Sequence, residues 1–167
     1  MNRFVKSCLL TVGASYSLLF AGGDLGVYDI VVPVAESCVS GCDKNTYYID
    51  NKAKLMWEDM TFSNACDGAY KNDRSVCKAG DLSYAKNFCS TLNYAGHSDW
   101  RLPTSHELME VSKQKGVFKN NRGADFWTST PAASGKHYVV FTVDGFRYAR
   151  SDSQSNYIRC VRCTAEK

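Results

Sequence analysis

The stretch Gly96-His97-Ser98-Asp99-Trp100-Arg101-Leu102-Pro103-Thr104-Ser105-His106-Glu107-Leu108-Met109 decides how this chain is read. Trp100 and Leu102 are two large apolar anchors in a short extended run. Pro103 ends that run, because it has no amide donor and keeps Leu102 out of helical angles. Thr104 followed by Glu107 is a capping box, which satisfies free amides at a helix start. Leu108 and Val111 then give the helix an apolar stripe. The stretch predicts a strand end, a corner and a capped helix, with Trp100, Leu102 and Pro103 in the core.

Outward from it, Ala85, Phe88, Cys89 and Leu92 recur at helical spacing, so residues 82 to 94 predict an amphipathic helix with Cys89 inward and Asp81 as its cap. The second helix is expected from Ser105 to about Lys115. Thr46 to Asp50 and Lys54 to Trp57 flank a tight turn and read as two strands. Residues 59 to 80 hold a long polar loop that a Cys66–Cys77 bridge would pin. After a basic loop with Lys119 and Arg122, the chain reads as strands. His137 to Val143 alternates, Asp144-Gly145 turns, and Phe146 to Arg150 returns. A tight turn there sets Val143 against Phe146 and Val139 against Arg150. Arg147 and Arg150 then point to opposite faces, and Arg150 is expected to cluster with Lys136 and His137. Tyr157 to Arg162 is expected to close the sheet.

The chain has 167 residues, enough for one domain with a real core. Arg3 and Lys6 precede an uncharged apolar run from Cys8 to Ala21, the pattern of a secretory signal. The alternative is an uncleaved anchor, but the run is diluted by Gly13, Ser15 and Ser17 and is short for a span. Residues 1–21 are therefore expected to be removed, residues 22–45 to form a lead-in, and residues 46–163 to form the domain, with no membrane span left. Losing Arg3 and Lys6 takes the net charge from +3 to +1. Residues 22–99 carry 7 basic and 11 acidic side chains, and residues 100–167 carry 11 and 6. That asymmetry suggests a local anion-binding face and not bulk nucleic-acid binding. In the lead-in, the apolar run within residues 27–34 reads as an edge strand or as a docking segment for a protein partner.

Without Cys8, seven cysteines remain, and in an exported protein they read as disulfides with one left over. Cys160-Val161-Arg162-Cys163 has redox spacing but lacks the helix N-terminus that stabilises a thiolate. Together with Cys38 and Cys42 it imitates a zinc site, and disulfides are the preferred reading, so no metal is expected. His106-Glu107 begins like a zinc-protease helix, but Glu110 stands where the second histidine belongs. Trp57, Trp100 and Trp127 suit sugar stacking in type but core in context; Tyr70, Tyr94 and Tyr138 are the more open candidates.

The opening motif, from Gly96 through Thr104 and on to Glu107-Leu108, resembles the signature of the Lcl C-terminal domain family. Leu55-Met56-Trp57, Phe126-Trp127-Thr128-Ser129-Thr130 and Tyr157 to Arg162 resemble its opening, central and closing strands, over roughly residues 46 to 162. The resemblance implies an α+β fold of C-type-lectin-like and formylglycine-generating-enzyme-like type, with two helices on one twisted, mainly antiparallel sheet. It also implies that the first helix lies across the sheet, which would pair Cys89 with Cys160. Because the chain ends should meet, Cys163 is expected to pair with Cys42 or Cys38. The expected function is exported, non-catalytic binding at the cell surface or in the periplasm, without a cofactor, and the resemblance implies adhesion to acidic or sulfated polysaccharide. The alternatives are an accessory subunit of a surface assembly and an enzyme related to formylglycine-generating proteins. Lys136, His137, Arg150 and Arg147, then Lys119 and Arg122, are the candidate ligand-binding residues.

Overall fold

The computed structural model describes residues 46–67 and 75–164. All lie within the compact unit Val32–Lys167. The signal and lead-in readings fall outside the described residues, as do Cys38, Cys42 and Tyr70.

Strand β1 (Tyr47–Asp50) turns into β2 (Leu55–Glu58) because the Asp50 carboxylate accepts from the amides of Lys52 and Ala53, at 3.0 and 2.9 Å. Such an Asx turn is a local substitute for backbone pairing. A one-turn helix α1 (Asn64–Asp67) and a short β3 (Ala79–Gly80) follow. Then come α2 (Leu82–Thr91), capped by Asp81, and α3 (Ser105–Ser112), opened by the Thr104–Glu107 capping box. The remaining strands are β4 (Asp125–Ala133), β5 (Lys136–Phe141), β6 (Phe146–Ser151), β7 (Asn156–Tyr157) and β8 (Val161–Cys163).

The strands form two sheets, ordered β1-β2-β8 and β3-β7-β4-β5-β6. Among the described residues only β4 and β7 pair in parallel. Alternation along β4 and β5 divides the core. Trp127 and Val139 join Leu82, Ala85, Phe88 and Cys89 of α2, whereas Phe126 and Val140 join Leu108 and Val111 of α3. The helices therefore cover opposite faces of the larger sheet.

The corner at Trp100–Pro103 couples the two sheets. Arg101 and Val161 exchange backbone hydrogen bonds at 2.9 Å, and the Ser129 amide donates to the Pro103 carbonyl at 2.8 Å. Trp100, Leu102 and Pro103 are buried. The Trp100 indole donates to the His97 carbonyl at 3.0 Å, so its one polar atom has a partner.

Four sequence expectations need correction. The sheet is two sheets. Three helices, not two, occur among the described residues, and the longer ones stop at Thr91 and Ser112. The closing strand is broken: Tyr157 belongs to one sheet and Val161 to the other. Between them Ile158 bonds to the Lys78 carbonyl and Cys160 to the Glu58 carboxylate, while Arg159 turns inward. Finally, the β5–β6 turn is two residues wider than a tight hairpin. Gly145, at φ 74°, donates to the Phe141 carbonyl, which makes Phe141 face Phe146 and His137 face Arg150.

Two outcomes follow from this packing. Trp100→Ala should cost roughly 3 to 5 kcal/mol, read as a lowered urea midpoint. Unchanged melting with lost ligand affinity would instead make Trp100 a binding residue. The second concerns the capping box. Burial raises the Glu107 carboxyl, but hydrogen bonds from Arg101 and Thr104 outweigh it, so its pKa lies below its ordinary value. A depressed carboxylate stabilises the fold above its ordinary pKa and loses that effect as pH falls through the folded value. Glu107→Gln should cost about 1 kcal/mol at neutral pH, and the gap to the unmodified protein should close in acid. Parallel pH–stability curves would contradict this role.

Candidate functional site

Where β4, β5 and β6 meet the loop after α3, an open cleft of about 870 Å³ forms. Its floor carries Asp125 of β4, Phe141 of β5, and Tyr148 and Arg150 of β6; Arg122 and Tyr157 wall it. The loop is fastened to the sheet because the Thr142 hydroxyl donates to the Arg122 carbonyl at 2.6 Å.

Each polar group in the cleft is held by a neighbour. Arg122 donates to the Tyr157 hydroxyl at 2.8 Å and to Asn64 of α1 at 2.6 Å, and its guanidinium lies 4.8 Å from the Tyr157 ring centre. Arg150 donates from Nε to Asp125 Oδ2 at 3.0 Å. Asp125 is buried while the Arg150 side chain remains 36% exposed, so the pair presents cation to solvent and hides its anion. The Tyr148 hydroxyl donates to Asp144 at 2.8 Å; that bond raises the tyrosine pKa and fixes the ring beside Arg150. The arrangement is two oriented guanidinium groups above an aromatic floor. It can hold an anionic group by charge-assisted, planar hydrogen bonding and a ring face by stacking.

The sequence placed Arg150 and Arg122 in two separate candidate regions, and the fold brings them into this one cleft. The others go elsewhere. Lys136 is exposed opposite Ser151, and alternation puts it on the sheet face away from Arg150. His137 sits opposite Arg150 but engages Asp152, with Nδ1 2.8 Å from Oδ1. Arg147 stacks over Tyr138, 4.5 Å from its ring centre. Lys119 is exposed, and its amide donates to Asp59. Of the expected cluster, Arg150 and His137 are cross-strand neighbours on one face, and Lys136 lies on the other.

Trp57, Trp100 and Trp127 are buried, and Trp127 donates to the Gly80 carbonyl at 2.8 Å. Tyr94, read as an open candidate, is buried, with its hydroxyl on the Thr46 carbonyl. Asp125, Phe141 and Tyr148 were missed as cleft residues. The available signal was an acid directly before the apolar strand Phe126-Trp127, and a tyrosine between arginines in Phe146-Arg147-Tyr148-Ala149-Arg150.

A second charged cluster is closed to solvent. Lys78 donates to Glu58 at 2.9 Å, and Arg159 donates to Asp59 at 3.2 Å and lies 3.8 Å from the Phe118 ring centre. All four are buried. Burial pushes the Lys78 amine down to about 8, although the Glu58 charge opposes the shift. Cys66, Asp67 and Cys77 also lie together. There the cysteines are bridged and the Asp67 carboxylate accepts the amides of Ser63 and Lys78, so the cluster is structural.

Disulfides join Cys66 to Cys77 and Cys89 to Cys160. They point to an oxidising compartment. Cys163 is exposed and unbridged among the described residues; both of its expected partners lie outside them. No helix among the described residues is long and apolar enough to cross a membrane.

These features define a disulfide-stapled α+β domain with an aromatic-floored surface cleft that two arginines and two aspartates line. The chain belongs to the Lcl C-terminal domain family, whose model matches residues 46–162. A comparison with curated proteins finds no match.

Peptide mapping without reduction should recover Cys66 linked to Cys77, Cys89 linked to Cys160, and Cys163 linked to Cys42 or Cys38. A Cys160–Cys163 link would overturn the arrangement. Removing the Cys89–Cys160 bridge, which spans 71 residues, should cost roughly 4 kcal/mol on the chain-entropy estimate.

Proposed function

We propose that this protein is an exported, non-catalytic adhesion module of C-type-lectin-like fold that binds acidic or sulfated polysaccharide through the cleft between β6 and the loop after α3. The observation that carries the reading is the convergence of Arg122 and Arg150 over an aromatic floor. Sulfate and carboxylate groups favour arginine because its planar fork donates parallel hydrogen bonds. Sugar rings present apolar faces that suit an aromatic floor such as Phe141 and Tyr148. The two disulfides support placement outside the reducing cytoplasm, and the apolar run of residues 8–21 supports export.

The test is binding to a heparin-like polymer at several salt concentrations. Arg150→Ala should weaken binding about tenfold, since a charge-assisted hydrogen bond contributes roughly 1.5 to 3 kcal/mol. It should also flatten the salt dependence, while Lys136→Ala, on the other face, should change little. Arg150→Lys should recover only part of the loss, because lysine keeps charge without the fork. Equal losses from Lys136→Ala and Arg150→Ala would mean diffuse attraction and no defined cleft.

A further inference from the structure

The larger sheet ends on β6, which among the described residues pairs only with β5. Edge strands are ordinarily blunted by charged side chains, lysine above all, or by proline, a bulge or shortness. The sequence Phe146-Arg147-Tyr148-Ala149-Arg150-Ser151 has no proline or lysine, and its register with β5 is unbroken over six residues. Phe146 is 63% and Tyr148 39% exposed.

The direction of the edge groups follows from the ladder. The Thr142 amide bonds to Ala124 and the Tyr138 carbonyl accepts from Thr128, so even-numbered residues of this strand turn their backbone toward β4. Odd-numbered residues turn toward β6, where His137, Val139 and Phe141 meet Arg150, Tyr148 and Phe146. The remaining β6 residues, Arg147, Ala149 and the terminal Ser151, therefore present amide and carbonyl at the open edge.

The side chains specify what fits there. Arg147 is exposed on one face, above Tyr138, and makes no ion pair among the described residues. Phe146 and Tyr148 lie on the other face, with Arg150 beyond them. The strand contains two arginines and no acid. A second copy of β6 would set arginines near arginines, which disfavours self-pairing.

We propose that β6 is a docking edge for an extended peptide of a partner protein in which acidic and apolar residues alternate. Such a peptide adds a sixth strand. Its backbone pairs with Arg147 and Ala149, its carboxylates face Arg147, and its apolar side chains lie against Phe146 and Tyr148. Main-chain pairing gives affinity in this mode, and the alternate side chains give selectivity. The charge complementarity of the Arg147 face selects the acidic partner.

The probe is a capped synthetic octapeptide alternating glutamate and valine, titrated into the full chain labelled with ¹⁵N. Saturable shifts should centre on residues 146–151, and exchange of the Arg147 and Ala149 amides should slow at least tenfold. A peptide methylated on alternate backbone nitrogens should not bind. Arg147→Glu should weaken the glutamate peptide at least tenfold and gain binding to a lysine–valine peptide; this reversal keeps the test valid if Ala149→Pro, chosen to remove the outward amide, fails to fold. Arg147 lies outside the cleft, so loss of polysaccharide binding in Arg150→Ala and loss of peptide binding in Arg147→Glu are separable. The proposal is overturned if no saturable shifts reach β6 or if Arg147→Glu leaves affinity unchanged. It is equally overturned if Arg147→Glu makes the protein self-associate without affecting the peptide, since the arginines would then only guard the edge. Protection of the Arg147 amide by a sulfated polymer and not by the peptide would also overturn it.

Discussion

Two adjacent acids at the end of β2 hold this domain together. Glu58 and Asp59 are buried side by side, and each finds its own cation, Lys78 and Arg159. Burying four charges is costly, and pairing alone rarely recovers that cost. Here backbone groups complete the compensation. Glu58 accepts from the amides of Met60 and Cys160, Asp59 accepts from those of Lys119 and Asn120, and Arg159 donates to the carbonyl of Glu58. Met60 apart, the partners come from three distant segments, at Lys78, at Lys119 with Asn120, and at Arg159 with Cys160. The cluster therefore fixes the path of the loop after α3, the strand-free segment around Arg159 and the approach to β3 at once. The gain is a unique arrangement of irregular backbone, which apolar packing alone specifies poorly.

The cleft depends on that arrangement. Asp59 grips the loop by the amides of Lys119 and Asn120, and two residues later Arg122 reaches Tyr157 and Asn64. From the other side, the wide β5–β6 turn sets the register that lays Arg150 across Asp125. Neither arginine is placed by its own strand or loop alone. The division of faces along β5 and β6 then separates Arg150, in the cleft, from Lys136 and Arg147. One hairpin thus offers an arginine-bearing cleft on one side and an arginine-bearing open edge.

The sequence by itself determined the local devices. Thr104 and Glu107 announced a helix start because capping requires only residues three apart. Leu108 and Val111 announced its buried face through their spacing, and the motif around Trp100 announced the family. Cys89 was legible as inward because Phe88, Leu92 and Ala85 share its stripe. What only the tertiary structure decided were distances between segments far apart in the chain. The arginines at positions 122 and 150 became neighbours through a sheet register that a two-residue change in turn width controls. Asp59 and Arg159 carry no sequence sign of burial, because a charge shows none until its partner, here 100 residues away, is known. The closing strand read as continuous because its alternation was good. It breaks where Arg159 turns inward to Asp59 and the Phe118 ring. Short-range pattern fixes the elements, since its cause lies within one helical turn or one strand pair. The cleft was settled by long-range pairing of buried charge, which no window of sequence contains.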